Sequence, residues 1–435
     1  MTAKRDQSST ALGATARKLV APFRKELVQV LHDLVSVNTV AVPPHGNETA
    51  GQRVLVEFLK RHGVRAELYK TEFLHQTRNP WKRKDRDYTG RMNLIASLSG
   101  RGRGKSILLN GHMDTVPPGR SPWKASPWSG KLSGGRIYGR GSFDMKGGIV
   151  AQAAVLCALR RAGIRLNGDL LFESVIDEEW GGGGGSLAAR LRGYTADACV
   201  VAEGTQLEIY RATRGGLFAD LTVDAGDPKK YFSQSEVLSP SIALGRLLGW
   251  VDSWAQRRKK VRNTGAYAAF EDPAPVQVLA VEANNFDPNV PWSVPMNAAL
   301  RIYFQFLPHE DVKVEEKKIR LSLKKFCAGD PFFHLHPVKW KNLIDPPLYG
   351  HEVAKKHPWT QCLVRSAALT LGREPVVTAA PYPCDASLLS REFGIPTLVF
   401  GPCGAGAHNN DEYVEIKSVL QTTEVLLAAA LEWCS

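Results

Sequence analysis

A histidine and an aspartate two positions apart, in Leu109-Asn110-Gly111-His112-Met113-Asp114, are the first residues here whose types and spacing suit chemistry. Residues 107–109 are apolar and read as a short buried strand, so His112 and Asp114 fall just past its C-terminal end. Open α/β sheets collect their ligand chemistry at that end. Along an extended run, alternate side chains share a face. A carboxylate beside an imidazole can orient the ring and set its tautomer at a metal, although an ordinary polar turn looks the same.

Four later segments repeat this plan of apolar strand, glycine-marked turn and acid or histidine. Gly139-Arg140-Gly141-Ser142-Phe143-Asp144-Met145-Lys146-Gly147-Gly148 places Asp144 among four glycines, a tight backbone with no room for side chains, and an apolar helix follows over 149–162. Residues 169–176 read as a buried strand that runs into Asp177-Glu178-Glu179, Trp180 and five glycines. Three adjacent carboxylates repel one another and need a cation or protons at a strand end. Residues 198–202 lead into Glu203-Gly204-Thr205. Residues 396–400 lead through Gly401-Pro402-Cys403-Gly404 to Ala407-His408-Asn409-Asn410-Asp411-Glu412-Tyr413. Five such turns can converge on one rim of a parallel sheet. Two histidines and three carboxylates suffice for two divalent ions that share a carboxylate, and a nitrogen and oxygen ligand set suits zinc, cobalt or manganese.

In order and spacing, GHMDTV, YGRGSFDMKGG, DEEWGG, AEGT and AHNNDEYV resemble the dinuclear metallohydrolase family of acetylornithine deacetylase, succinyl-diaminopimelate desuccinylase, aminoacylase and the glutamate-releasing carboxypeptidases. Softer matches are NLIASLSG, SVNTVAVPPHGNE and CDASLLSREFGIPTLVFGP. The resemblance implies that Asp144 bridges two metals, that His112 and Glu203 complete one site, and that Glu179 and His408 complete the other. It places Asp114 behind His112 and makes Glu178 the general base, which takes a proton from a metal-bridging water and delivers it to the leaving nitrogen. Two metals would acidify that water and polarise the scissile carbonyl. A carboxylate beside them, but not on them, can carry the proton. The implied cofactors are two divalent metal ions, zinc ahead of cobalt or manganese. The implied reaction is hydrolysis of the amide of an N-acyl amino acid or dipeptide-like substrate. Cleavage of a non-peptide C–N bond, such as that of an aromatic amine, and a non-catalytic metal-binding homologue are the alternatives.

The elements that must position these residues alternate between strand and helix over 51–203, after an amphipathic helix at 22–35. The expected fold is α/β, a doubly wound, mostly parallel sheet. Near Arg214-Gly215-Gly216 the character changes. Strand 217–223, helix 240–258, strands 276–281 and 298–306, helix 311–326 and a weakly marked last strand give a β-α-β-β-α-β order. This predicts a smaller inserted α+β domain over 215–345, between catalytic parts 1–214 and 346–435. Relatives use the insert as a lid and often as a dimer surface, so a homodimer through it is left open. Relatives also carry a histidine after the first lid strand, whereas this chain has none between His112 and His309. Lys229, Lys230 and Tyr231 are the candidate substitute oxyanion donors, against a plain solvated turn.

Hydrophobic content of 43% and charged content of 23% are globular values, and no apolar run appears long enough for a membrane. The net charge of +13 would steer an anionic small-molecule substrate. The basic runs at 78–86 and 257–262 lack the fold or aromatic interleaving of a nucleic-acid site and read as solvated faces. Residues 1–16 read as a frayed polar tail without the apolar core of a signal peptide. Seven cysteines, an odd number without metal-motif spacing, read as free thiols in a cytoplasmic protein.

Overall fold

The apolar runs become strands, and the glycine-marked turns fall at their ends. The computed structural model describes residues 12–224, 240–261, 264–283 and 295–435. It divides into two compact units, Met1–Thr213 with His351–Ser435, and Arg214–Gly350. In chain order, the larger unit holds β1 (Ala66–Lys70), β2 (Met92–Leu98), β3 (Ile107–His112), β4 (Leu170–Val175), β5 (Cys199–Val201) and β6 (Ile209–Tyr210). The insert holds β7 (Gly215–Asp224), β8 (Val276–Ala283), β9 (Asn297–Phe306) and β10 (Lys339–Asn342). Strands β11 (Val377–Thr378) and β12 (Thr397–Val399) return to the larger unit.

The larger unit's sheet has the order β11-β6-β12-β5-β3-β4-β2-β1. Its four central strands, β12, β5, β3 and β4, run parallel. Antiparallel pairs lie toward the flanks, at β4–β2, β2–β1 and β12–β6. Strand β3 is buried at every residue, as a central parallel strand covered on both faces must be.

Among the helices, α1 (Arg24–Val35), α2 (Thr49–Arg61), α3 (Gly147–Arg161) and α4 (Ser186–Leu191) precede the insert. Helix α3 is apolar on all sides and buried except for its last two residues, the mark of a core helix. A Cβ at Gly148 would lie 1.8 Å from the Ala202 carbonyl oxygen, so glycine alone lets α3 start against the end of β5. The expectation that no apolar stretch could span a membrane is corrected here. Ser142–Arg161 is long and apolar enough by length and composition, and 89% of its apolar window is buried inside the protein.

The insert carries α5 (Pro240–Arg258) and α6 (Val312–Ala328) with an antiparallel sheet of order β8-β9-β7-β10. Leu217, Leu221 and Val223 of β7 and Phe304 and Phe306 of β9 form its core with Leu247, Trp250 and Ile319 from the helices. It extends to Gly350, because Gly216 still pairs with Leu348. Lys229, Lys230 and Tyr231 lie outside the described residues. Helices α7 (Pro358–Leu371), α8 (Ala386–Phe393) and α9 (Ile416–Trp433) complete the larger unit.

Two further expectations are corrected. The expected frayed tail over 1–16 is corrected where it is described, since residues 12–16 belong to a helix over 12–20 and Arg17 donates to the Thr370 carbonyl at 2.8 Å; residues 1–11 lie outside the described residues. The basic runs are not simply solvated. Arg83 and Arg86 are 1% and 6% exposed, and Arg258 is 5% exposed. Arg86 pairs with Asp177 at 3.0 Å, and Arg258 pairs with Glu310 at 2.6 Å.

Candidate metal centre

Asp144 sits between the two histidines. His112 is the last residue of β3, and its Nε2 lies 3.0 Å from Asp144 Oδ1 and 3.4 Å from Glu203 Oε1. His408 Nε2 lies 3.1 Å from Asp144 Oδ2 and 2.9 Å from Glu179 Oε2. Each aspartate oxygen thus faces a different ring. Glu178 Oε2 stands farther off, 4.0 Å from His112 Nε2. Donor atoms of His112, Asp144 and Glu179 lie within 4.8 Å of one another, as do those of His112, Glu178 and Glu203. All seven candidates named from the sequence meet in one place, in the larger unit.

Asp114 does not hold His112 mainly by its carboxylate. The ring Nδ1 is 2.8 Å from the Asp114 carbonyl oxygen and 3.6 Å from its carboxylate. The carbonyl is the nearer partner for Nδ1, and Nε2 is the nitrogen that faces Asp144 and Glu203. The Asp114 carboxylate instead accepts from the backbone N–H of Glu178 and of Glu179, each at 3.1 Å. One buried side chain therefore ties down the backbone of both glutamates.

Glu412 has a parallel task that the sequence reading did not assign. Its Oε1 accepts from Phe143 N at 2.9 Å and Asp144 N at 3.0 Å. Its Oε2 accepts from Gly141 N at 2.9 Å and from Arg140 at 2.6 Å. Glu412 is fully buried. It lies inside the AHNNDEYV motif, but nothing in residue type separates a carboxylate that binds backbone from one facing a metal.

The charge balance explains what such a site needs. Burial, followed by the Asp144 charge, pushes Glu203 up to about 7. Burial holds Glu178 well above the ordinary carboxylate range; His112 opposes this, while Asp385, Glu203 and Glu179 add to it. Glu179 and then Asp144 raise His408. Burial works against ionised Asp144, yet hydrogen bonds from both rings keep it below the usual range. A set this acidic and this buried needs cations or protons. Two imidazole nitrogens and three carboxylates are donors that fit divalent ions.

A cavity of about 260 Å³ opens above these groups, walled by Phe143, Tyr382, Pro383 and Ala407. The Phe143 ring fits only because positions 204 and 404 are glycine. A Cβ at Gly204 would meet the ring at 2.1 Å, and one at Gly404 would meet it at 2.5 Å. Tyr382 Oη donates to the Gly204 carbonyl at 3.2 Å. Among the described residues, His408 is the one basic side chain that lines this cavity.

Residues 108–432 match the model of peptidase family M20/M25/M40. The chain belongs to this family. Membership makes it a hydrolase acting on carbon–nitrogen bonds. The N-formyl-4-amino-5-aminomethyl-2-methylpyrimidine deformylase of Halalkalibacterium halodurans is 25% identical, with 94% of this chain and 95% of that one covered. The succinyl-diaminopimelate desuccinylase of Rhodopseudomonas palustris is 27% identical over 73% of this chain and 80% of that one. The crystal structure of human carnosine dipeptidase 1 shares the fold, with a TM-score of 0.74 at 16% identity, covering 97% of this chain and 99% of that one. The M20 fold and the expected family resemblance are thus both found.

Proposed function

We propose that this M20 chain is a two-metal amide hydrolase that removes a small acyl group from a non-peptide amine carried on a flat ring. The observation that carries the two-metal reading is the placement of Asp144, one oxygen toward each histidine. His112 and Glu203 would hold one ion, and Glu179 and His408 the other, with Asp144 shared. Zinc is the first choice for such ligands, then cobalt and manganese. When bound, the ions lower the pKa of the attacking water and polarise the acyl carbonyl. Glu178, held off the histidines, takes the water proton and passes it to the leaving nitrogen. The Asp114 clamp on its backbone keeps it within reach of both.

The substrate class rests on two supports. The likeness to the deformylase runs along nearly the whole of both chains. Beside the acidic groups the cavity offers the aromatic and apolar walls of Phe143, Tyr382, Pro383 and Ala407, with no arginine or lysine among its described lining residues. An N-acyl amino acid is the second reading, favoured by the likeness to desuccinylases. The net charge of +13 would draw such an anion. The test is a panel of N-formyl arylmethylamines, N-acyl amino acids and dipeptides, each with zinc, cobalt and manganese. Expected is formate release from the ring amines at a kcat/KM at least roughly tenfold above the other amides. Faster cleavage of N-acyl amino acids moves the assignment to the second reading. No hydrolysis of any amide by protein carrying two ions sinks the proposal.

A further inference from the structure

We infer that Asp177, Arg86, Arg91 and Glu48 form a buried clasp that aims Glu178, and that these four are positioning residues for the reaction. The inference rests on the reading of Glu178 as the base, and it concerns residues to which that reading gives no role. Asp177 directly precedes Glu178 and has φ 70 and ψ 18, left-handed values that aspartate tolerates better than most residues. This bend lets two successive glutamates serve different partners, Glu179 toward His408 and Glu178 toward His112 and Glu203.

The bend is held at every point. Asp177 Oδ1 accepts from Arg86 Nε at 3.0 Å and from both terminal nitrogens of Arg91 at 3.4 Å. Its Oδ2 accepts from Gly184 N at 3.3 Å, and its carbonyl accepts from Gly182 N at 2.9 Å. Arg91 in turn binds Glu48, at the start of α2, through Nε at 3.1 Å and again through a terminal nitrogen. The Arg86 guanidinium also lies 5.1 Å from the centre of the Trp180 ring, so one arginine grips the turn on both sides of the glutamates. Trp180 is fixed by its Nε1 donating to the Ala41 carbonyl at 3.0 Å.

Asp177 and Glu48 are fully buried, and Arg86 and Arg91 are at most 6% exposed. Each carboxylate of the cluster faces a guanidinium, and Arg86 also lies 3.2 Å from Asp85, so its buried charges are paired. Both arginines come from the segment between β1 and β2, which the sequence presents as a basic loop. The five-glycine run after Trp180 completes the seat. A Cβ at Gly184 would meet the Tyr88 ring at 2.5 Å, and one at Gly183 would meet the Arg83 side chain at 2.5 Å. The glycines let the arginine-bearing segment lie directly against the acidic turn. A misplacement of about 1 Å in a reacting group can cost roughly a hundredfold in rate, so a clasp this complete has kinetic consequences.

The test compares Asp177→Gly and Arg86→Lys with Glu178→Gln in the full chain. Glycine keeps the left-handed bend without strain and removes only the carboxylate. Lysine keeps the charge and loses the Nε contact and the guanidinium face on Trp180. Expected for Asp177→Gly is a kcat loss of roughly a hundredfold, with KM within about threefold, two ions retained and faster amide exchange at Glu178 and Glu179. Arg86→Lys should show the same pattern at about tenfold and keeps the test decisive if the glycine variant does not fold. Wild-type kcat and unchanged exchange in the folded variants would overturn the clasp and leave the backbone alone setting the base. A fully active Glu178→Gln would instead overturn the base assignment, while the exchange rates still report on the clasp.

Discussion

His112 and His408 face the same aspartate from unlike backbones. His112 ends a central strand flanked by two parallel neighbours, its side chain is buried, and its second nitrogen is bound to the Asp114 carbonyl. His408 lies on the segment after β12 at φ 59, and its side chain is 55% exposed. That segment is held from outside the sheet. Asn410 donates to the Pro122 carbonyl at 2.9 Å, and Asp411 accepts from Lys124 N at 2.9 Å. One arm of the centre is thus part of the sheet, and the other is a loop tied to a second loop. A ligand locked by its surroundings binds more tightly than one that must be ordered. The two ions should therefore differ in affinity, with the His112 side the tighter.

The largest effect expected is that of Asp144→Ala, which should remove both ions and all measurable turnover because both arms meet there. Elemental analysis showing one full, tightly held equivalent would mean the arms do not share the carboxylate. Next in size, Glu178→Gln should lower kcat by roughly 10²–10⁴-fold at near-normal metal content, whereas Glu179→Gln should weaken the His408 side. Loss of metal from both variants alike would show that the two glutamates are wrongly divided. The comparison itself is tested by chelator titration. The wild type should lose one equivalent before the other, with affinities separated by about 10–100-fold, and His408→Ala should abolish only the early step. Simultaneous release in the wild type would remove the distinction between the arms.

Smaller effects probe the supports. Glu412→Ala leaves buried Arg140 without its carboxylate and should cost about 3–5 kcal/mol of stability in denaturant unfolding. His351 supports the loop arm, with its Nε2 donating to the carbonyl of Thr397, the first residue of β12, at 3.0 Å. Its Nδ1 lies 2.9 Å from the Thr213 hydroxyl. Burial above all lowers this imidazole from 6.5 to about 4. The unfolded chain therefore binds more protons between those values, and stability falls as the pH drops through that window. The His351 contribution to the loss between pH 7 and pH 5 is expected to be roughly 2 kcal/mol, read as the difference in pH slope between the wild type and a folded His351→Asn variant. An equal pH slope in that variant would place the acid sensitivity elsewhere.

How much of this was legible in the sequence depended on whether a residue's surroundings lie near it in the chain. Strand ends announce themselves locally, so the turns that carry His112, Asp144, Glu178, Glu179, Glu203 and His408 could be picked out, while their roles came from the family resemblance; the order of elements in the insert could be read from period and turn residues. The supports are not local. Arg86 and Arg91 sit in a segment whose composition matches a solvated basic loop, and their burial is explained by distant partners, Asp177 more than eighty residues on and Glu48 on the other side. Glu412 looks like any acid after a histidine until the glycine-rich turn near Asp144 wraps its carboxylate. Asp114 was assigned to the right neighbourhood, but its carboxylate went to the backbone of the acidic turn, because the carbonyl was already the closer partner for the ring.

Strand β12 enters the sheet between β6 and β5, although it belongs to the last part of the chain. During synthesis the N-terminal strands emerge first, followed by the insert, while the slot beside β5 stays open. His408 and Glu412 follow β12 and arrive later still. On a ribosome the nascent larger unit thus exposes the bare edge of a parallel strand and holds only part of its acidic cluster. The centre can close only once β12 has filled that slot and brought the segment with His408 and Glu412 beside the acidic turn.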